Sequence, residues 1–255
     1  MPTFTIPLPG KRLSVKPEAL TENYYKWQSP SLGREFEMLV FGHAGYPLIL
    51  FPTSMGRYYE NKDRGLIESV AWFVQNGRVR IYCPDSIDAL SWFNRHIHPS
   101  ERARNHAMYD GLLMDELLPR IRKETGHDRV AVGGCSFGGY HAANFAFRHP
   151  ESVAYLFSLS GLFDIRSRAE GHYDDNIYYH NPMDFVPDNS HPDLWRMGIV
   201  LGAAEHDISR AQNEQFSGIL QQKNIQHWLD VRPNSHHDWP AWKEMLPHYL
   251  SLLKH

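Results

Sequence analysis

The residues with the strongest chemical signal lie between Arg129 and His149, in the stretch RVAVGGCSFGGYHAANFAFRH. An apolar β-branched run is followed there by glycines, Ser136 and an alanine-rich stretch, which predicts a sharp turn from a buried strand into a helix. Gly134 and Gly138 allow such a turn because they lack side chains. A serine held at the apex presents its hydroxyl to substrate, so we predict that Ser136 is the nucleophile of an acyl-transfer reaction.

A serine nucleophile needs an imidazole to take its proton and a carboxylate to orient that imidazole. In a parallel sheet these partners are expected after later strands, at the carboxyl edge. His237 follows the last predicted strand and is the predicted base, with His236 as the competing residue. Glu205 and Asp207 follow the strand before it, and we favour Asp207 as the acid because it lies further into the loop.

The oxyanion of an acyl-transfer intermediate requires two backbone N–H donors. One should come from Phe137, directly after the nucleophile, and the other from the loop after an early strand. Ser54 is the predicted second donor, with Met55 as the alternative.

Strands and helices alternate along most of the chain, which predicts right-handed crossovers and a mostly parallel sheet with helices on both faces. An antiparallel hairpin of 24–27 and 34–41 opens the sheet. The predicted strands are 48–51, 79–83, 130–133, 153–158, 197–201 and 227–231, and the predicted helices are 60–76, 108–124, 137–147, 209–222 and 239–253.

The segment 162–193 lacks a clear period and is too long for a plain connection, so we interpret it as a short cap over the site. Its aromatic residues include Tyr178 and Tyr179, which we predict to bind substrate together with Met55 and Trp239. Should Tyr178 and Tyr179 prove to be packing residues, the pocket would lie among Trp92, Phe93 and Met55.

The composition favours a single α/β domain over residues 1–255, since 42% of the residues are hydrophobic. A net charge of -3 and the lack of basic runs argue against a nucleic-acid partner. Cys83 and Cys135 fall in predicted buried strands and suggest neither disulfides nor a metal site. His96 and His98 form an H-x-H pair without further ligands, so no metal is predicted. His141 is expected to pack or to support the site.

The first thirteen residues, MPTFTIPLPGKRL, have no apolar core of signal-peptide length, and no stretch reaches the length of a membrane span. We therefore expect a cytoplasmic protein with no membrane partner. The sequence leaves the oligomeric state open, a homo-oligomer included.

The motifs Gly134-Cys135-Ser136-Phe137-Gly138-Gly139 and His237-Asp238-Trp239-Pro240-Ala241-Trp242, with Asp207 between them, resemble the esterase D-like branch of the α/β-hydrolases. Members of this branch carry H-x-W at the catalytic histidine, which favours His237 over His236. The segment from Ala204 to Asp207 is similar to the acid loop of the family and supports Asp207. The resemblance implies an α/β-hydrolase fold and a carboxylic ester hydrolase that needs no cofactor.

We therefore expect a serine esterase that cleaves small to medium acyl or aryl esters through an acyl-enzyme intermediate. The same three residues would also serve an acyltransferase or a thioesterase. A small-molecule ester is the expected partner.

Overall fold

The computed structural model describes residues 20–254, and the prediction about the amino terminus concerns residues outside this range. An eight-stranded sheet with the order β1-β2-β4-β3-β5-β6-β7-β8 forms its centre. The strands are β1 Glu22–Ser29, β2 Arg34–Phe41, β3 Tyr46–Phe51, β4 Val79–Pro84, β5 Val130–Cys135, β6 Val153–Leu159, β7 Gly198–His206 and β8 Trp228–His236.

The pairing of the strands matches the prediction of a mostly parallel sheet opened by a hairpin. β2 runs antiparallel to both β1 and β4, and every other neighbouring pair is parallel. The order reverses around β3, which lies between β4 and β5. The loop after β3 therefore meets the turn after β5 at the carboxyl edge, where open α/β sheets bind their ligands.

Ten α-helices cover the sheet within the described residues. They are α1 Glu60–Asp63, α2 Leu66–Ser69, α3 Ala71–Gln75, α4 Pro99–Leu112, α5 Leu118–Thr125, α6 Phe137–Arg148, α7 Asp175–Tyr179, α8 Pro182–Phe185, α9 Arg210–Gln222 and α10 Trp239–Leu250. No helix in the range 20–254 has the length and apolarity required to cross a bilayer.

Two predicted helices differ from the observed ones. The helix predicted over 60–76 is broken into three. Gly65, in a left-handed conformation with φ 75°, separates α1 from α2, and Val70, with φ -112° and ψ 12°, separates α2 from α3. The helix predicted to begin at Met108 begins at Pro99, where the His98 ring accepts a hydrogen bond from the Ser100 N–H. A π-helical segment, Leu113–Leu117, joins α4 to α5. It precedes Pro119, which cannot donate the backbone hydrogen bond of a regular α-helix.

Both faces of the central strands are buried, as expected for a parallel sheet between two helical layers. In β3, Ile49 and Phe51 face the layer that contains α6, whereas Leu48 and Leu50 face the layer that contains α10. Cys135 is also buried on the α10 side, and both Cys83 and Cys135 are free thiols. The interpretation of these cysteines as core residues is confirmed.

A buried histidine in the segment 162–193 supplies a test of acid stability. Burial, together with the positive charge of Arg148, lowers the pKa of His180 to about 3. Between pH ~6.5 and ~3 the unfolded chain binds a proton at this residue and the folded chain does not, so its contribution to the free energy of unfolding falls by up to about 1.4 kcal/mol per pH unit on acidification. His180→Gln should make this decline shallower.

Urea unfolding at intervals between pH 6.5 and 5 measures the effect of His180→Gln. Equal pH slopes for the variant and the wild type would show that His180 does not contribute in this way.

Candidate active site

Ser136 lies at a strained turn between β5 and α6. Its backbone has φ 55° and ψ -120°, a conformation that residues with a β-carbon rarely adopt. The Ser136 N–H donates to the Leu159 carbonyl at 2.8 Å, which ties the turn to the neighbouring strand β6. The strain is concentrated at the one residue whose hydroxyl must leave the sheet, as is typical of a nucleophile elbow.

The two flanking glycines are required by close backbone contacts. A β-carbon on Gly134 would lie 2.5 Å from the carbonyl carbon and oxygen of Gly138. A β-carbon on Gly138 would lie 2.5 Å from the Pro52 carbonyl oxygen and 2.8 Å from that of Phe51. The second contact also places the loop after β3 directly against the first turn of α6.

Gly134→Ala should destabilise the protein by about 2 kcal/mol or more, because the new methyl group overlaps rigid backbone rather than a side chain. Gly218→Ala is the matched control, since a β-carbon there meets no atom within 4 Å and α9 gains a better helix former. Urea unfolding of both variants measures the difference. A Gly134→Ala variant as stable as the control would show that the elbow can relax.

Ser136, His237 and Asp207 form a continuous chain of hydrogen bonds. The Ser136 Oγ lies 2.9 Å from His237 Nε2, and His237 Nδ1 lies 2.7 Å from Asp207 Oδ1. Asp207 directly follows β7 and His237 directly follows β8, so the carboxyl edge of the sheet brings together three residues that are far apart in sequence. This arrangement can pass the serine proton to an imidazole whose tautomer is held by a carboxylate.

The Asp207 carboxylate is fully buried and accepts several hydrogen bonds. Burial by itself would raise its pKa, but hydrogen bonds from His237, Ser160 and Ser209 outweigh burial and hold the pKa well below its usual range. The N–H and the hydroxyl of Ser209 each lie 2.8 Å from Oδ1. Asp207 is therefore ionised at neutral pH and can stabilise a protonated His237.

Ser160 and Trp242 complete the surroundings of this carboxylate. The Trp242 indole N–H donates to Ser160 Oγ at 2.9 Å, while its ring packs edge-on against the His237 ring at 5.1 Å. Ser160 directly follows β6 and adopts φ 52°. Sequence reasoning missed Ser160, although its position at the end of a central strand is the same signal that identified Asp207.

The competing acid and base lie outside this chain of hydrogen bonds. The Glu205 carboxylate accepts from the Asn234 N–H at 2.7 Å and joins the ends of β7 and β8. His236 pairs with His206 across the same two strands and is exposed. Neither residue contacts Ser136 or His237 through a hydrogen bond among the described residues, which agrees with the preference for Asp207 and His237.

Most N–H groups of the loop after β3 already have partners. Thr53 N–H donates to Glu60 at 2.8 Å, Met55 N–H to Asp88 at 2.9 Å, and Gly56 N–H to the Thr53 carbonyl at 2.9 Å. Within residues 20–254, Ser54 N–H has no intramolecular acceptor, and the same is true of Phe137 N–H at the start of α6. These two groups are free to bind an oxyanion, whereas Met55 N–H is not.

Tyr178 and Tyr179 do not lie at Ser136, in contrast to the prediction. They line a surface cavity of about 740 Å³ together with Arg148 and His149, at the carboxyl end of α6. Ser136 precedes the amino end of this helix, roughly 18 Å from its carboxyl end. The cause is the packing of α7 against α4 and α8, with the Tyr179 carbonyl accepting from Asn144 of α6.

The other predicted pocket residues lie on the loops around the site. Met55 is half exposed beside Ser54, and Trp239 packs against Trp242, whose ring contacts His237. Phe93 packs edge-on against Phe137 at 5.0 Å. Trp92 is buried, with 1% of its surface exposed, so it cannot line an open pocket.

The remaining histidines do not form a metal site within the described part of the chain, where no group of three or more potential ligands converges. His98 caps α4. His141 is buried and pairs with Asp88 at 2.9 Å, as expected for a supporting residue.

Comparison with known proteins identifies the family. Residues 48–253 match the model of the family described as Putative esterase. The chain belongs to this esterase family. A search of characterised proteins finds Lysophospholipase-like protein 1 of Mus musculus, 28% identical over 116 residues. The match covers 46% of this esterase and only 41% of the length of the mouse protein.

Solved structures share the fold of this esterase. A ferulic acid esterase superposes with a TM-score of 0.73 at 19% identity, covering 91% of this chain and 96% of its own. An S-formylglutathione hydrolase from Agrobacterium tumefaciens superposes with a TM-score of 0.72 at 15% identity, covering 91% and 94% of the two chains. Both are similar over nearly their whole lengths, which confirms the α/β-hydrolase fold.

Proposed function

We propose that this esterase cleaves carboxylic esters with Ser136 as nucleophile, His237 as general base and Asp207 as the residue that orients His237. The observation that carries the proposal is the chain of hydrogen bonds from Ser136 Oγ through His237 to the buried Asp207 carboxylate.

In the first half of the reaction, His237 Nε2 takes the proton of Ser136 Oγ as the oxygen attacks the ester carbonyl. The C–O bond of the tetrahedral intermediate then breaks, and the alcohol leaves with the proton returned by His237. In the second half, water loses its proton to His237 and attacks the acyl-serine. The carboxylic acid is released and Ser136 regains its proton.

The N–H groups of Phe137 and Ser54 bind the oxyanion in both halves of the reaction. Both N–H groups lack an intramolecular acceptor within residues 20–254, and they lie on the two segments that meet at Ser136. Donors fixed in this way stabilise charge that develops only in the transition state, so they act on turnover more than on substrate binding.

The substrates we propose are esters of small to medium acyl or aryl groups, cleaved without a cofactor. The structural neighbours include an enzyme named for ferulic acid esters and one named for a glutathione thioester, so both aryl esters and thioesters belong in the first screen. Met55, Phe93 and Trp239 are the exposed or half-buried side chains from which we expect substrate contacts.

The proposal is tested by pre-steady-state hydrolysis of a 4-nitrophenyl ester series, with a thioester in parallel. A burst of one equivalent of alcohol per protein, followed by peptide mapping of an acyl or phosphonyl group on Ser136, is the expected result. Formation of a new ester in preference to free acid when an alcohol is added would identify an acyltransferase instead.

A cytoplasmic location stays a prediction, which cell fractionation would test.

A further inference from the structure

A buried carboxylate and a buried imidazole lie beside the elbow without belonging to the hydrogen-bonded chain at Ser136. Asp88 Oδ1 accepts from His141 Nε2 at 2.9 Å. The side chain of Asp88 is 0% exposed and that of His141 is 1% exposed. Removing two such polar groups from water is costly, so a pair in this position is expected to hold a specific geometry in place.

The second oxygen of Asp88 reaches the loop after β3. Its Oδ2 accepts from the Met55 N–H at 2.9 Å. Met55 has φ 59°, a left-handed conformation that a residue with a β-carbon adopts only when its surroundings hold it there. Met55 directly follows Ser54, so this hydrogen bond restricts the peptide next to the free Ser54 N–H.

The other end of the pair lies on the nucleophile helix. His141 is in α6, five residues after Ser136, and its ring packs edge-on against the Phe137 ring at 5.0 Å. Asp88 therefore connects α6, which supplies the Phe137 N–H, to the loop that supplies the Ser54 N–H. The two segments come from different parts of the chain, and the Asp88 carboxylate bonds to both.

The surroundings of the pair keep its geometry rigid. The His141 ring is enclosed by Phe51 and Tyr109, at centroid distances of 5.8 and 5.7 Å. Its Nδ1 has no partner within the described residues, so Asp88 is the one side chain there that His141 is hydrogen-bonded to. The imidazole is therefore held by a single hydrogen bond, and a rotation of the Asp88 carboxylate would break it.

We propose that Asp88 and His141 are positioning residues that hold the two N–H donors of the oxyanion hole at a fixed separation. This inference rests on the proposed function. We call the hydrogen bonds that Asp88 accepts from His141 and from the Met55 N–H the Asp88 bridge. If the bridge positions the donors, its loss must weaken binding of the tetrahedral intermediate more than binding of the ester. A role in packing alone would not produce this difference.

Asp88→Asn keeps the shape of the side chain but offers an acceptor to only one of its two donors. We expect kcat to fall by about 10- to 100-fold with KM changed by less than about threefold, because misplacing an oxyanion donor costs somewhat less than removing one. The inhibition constant of a trifluoromethyl ketone, which forms a tetrahedral adduct with the serine, should rise by the same factor as kcat/KM falls.

Two variants of His141 test the other half of the bridge. His141→Leu removes the donor and should reproduce the loss of kcat, whereas His141→Gln retains an N–H that reaches Asp88 and should recover a substantial part of it. A purely structural role would lower the thermal midpoint of both variants without this difference in kcat.

Asp110→Asn is the matched control. Asp110 pairs with His149 at 2.9 Å near the carboxyl end of the same helix and does not contact the loop after β3. It should leave kcat within about twofold of the wild type.

The outcomes separate this inference from the proposed function. Suppose that Asp88→Asn and His141→Leu fold and turn over like the wild type while Ser136→Ala is inactive. The positioning role of Asp88 and His141 is then wrong, and the nucleophile role of Ser136 is retained. If Asp88→Asn loses no more than Asp110→Asn in kcat and in ketone affinity, the bridge is likewise overturned. Ester hydrolysis that survives in Ser136→Ala would instead overturn the proposed function.

Discussion

Ser136→Ala should lower kcat for 4-nitrophenyl esters by about 10⁵- to 10⁶-fold while leaving the protein folded. Loss of the nucleophile removes the acyl-enzyme route completely, and what remains is catalysis by the oxyanion donors and by binding alone. Substrate affinity should change little, because the hydroxyl contributes to bond making rather than to ground-state contacts.

Labelling with a fluorophosphonate gives a second readout for the same variant, since the wild type should be labelled at Ser136 and the variant should not. Ser152→Ala is the control, because Ser152 is a buried serine just before β6, at the opposite edge of the sheet. Activity of Ser136→Ala within tenfold of the wild type would remove Ser136 from the mechanism.

Asp207→Asn should lower kcat by about 10⁴-fold, the second largest effect that we expect. An asparagine would present an N–H or a neutral carbonyl to His237 Nδ1, so the imidazole would lose both its required tautomer and the charge that stabilises its protonated form. Because the carboxylate also accepts from Ser209 and Ser160, the variant should lose some stability as well.

Glu205→Gln is the matched control for Asp207→Asn, since Glu205 lies two residues earlier and its amide counterpart can still accept from the Asn234 N–H. It should retain most of its turnover. Steady-state kinetics of both variants, with circular dichroism to confirm folding, decide between the two acids. A larger loss for Glu205→Gln than for Asp207→Asn would exchange their roles.

The choice between Glu205 and Asp207 as the acid depends on where β7 ends. Glu205 and Asp207 are two residues apart, and alternation along an extended chain would place both side chains on the same face, so it does not choose between them. β7 continues to His206, so Glu205 lies within the strand and faces β8, while Asp207 is the first residue beyond it. The length of a strand at its carboxyl end depends on its pairing with the next strand, which the local sequence does not reveal.

The local sequence is sufficient to predict those structural features that depend on residues close together in the chain. A β-branched run, two glycines and a serine specify the elbow, because only backbone without side chains fits the contacts at Gly134 and Gly138. The alternation of strands and helices likewise specifies a parallel sheet, whose carboxyl edge brings Asp207 and His237 to Ser136 wherever the loops run.

The tertiary structure alone decided what depends on packing direction between distant segments. Tyr178 and Tyr179 looked suited to a substrate pocket, yet α7 packs against α4 and α8, and its last turn is hydrogen-bonded to Asn144, which places both tyrosines at the carboxyl end of α6. Asp88 gave no signal in the sequence, although it is hydrogen-bonded both to the loop after β3 and to α6. Composition and periodicity report which residues are buried or aromatic, but the contact a side chain makes follows from how whole elements pack, and that is settled only when the chain folds.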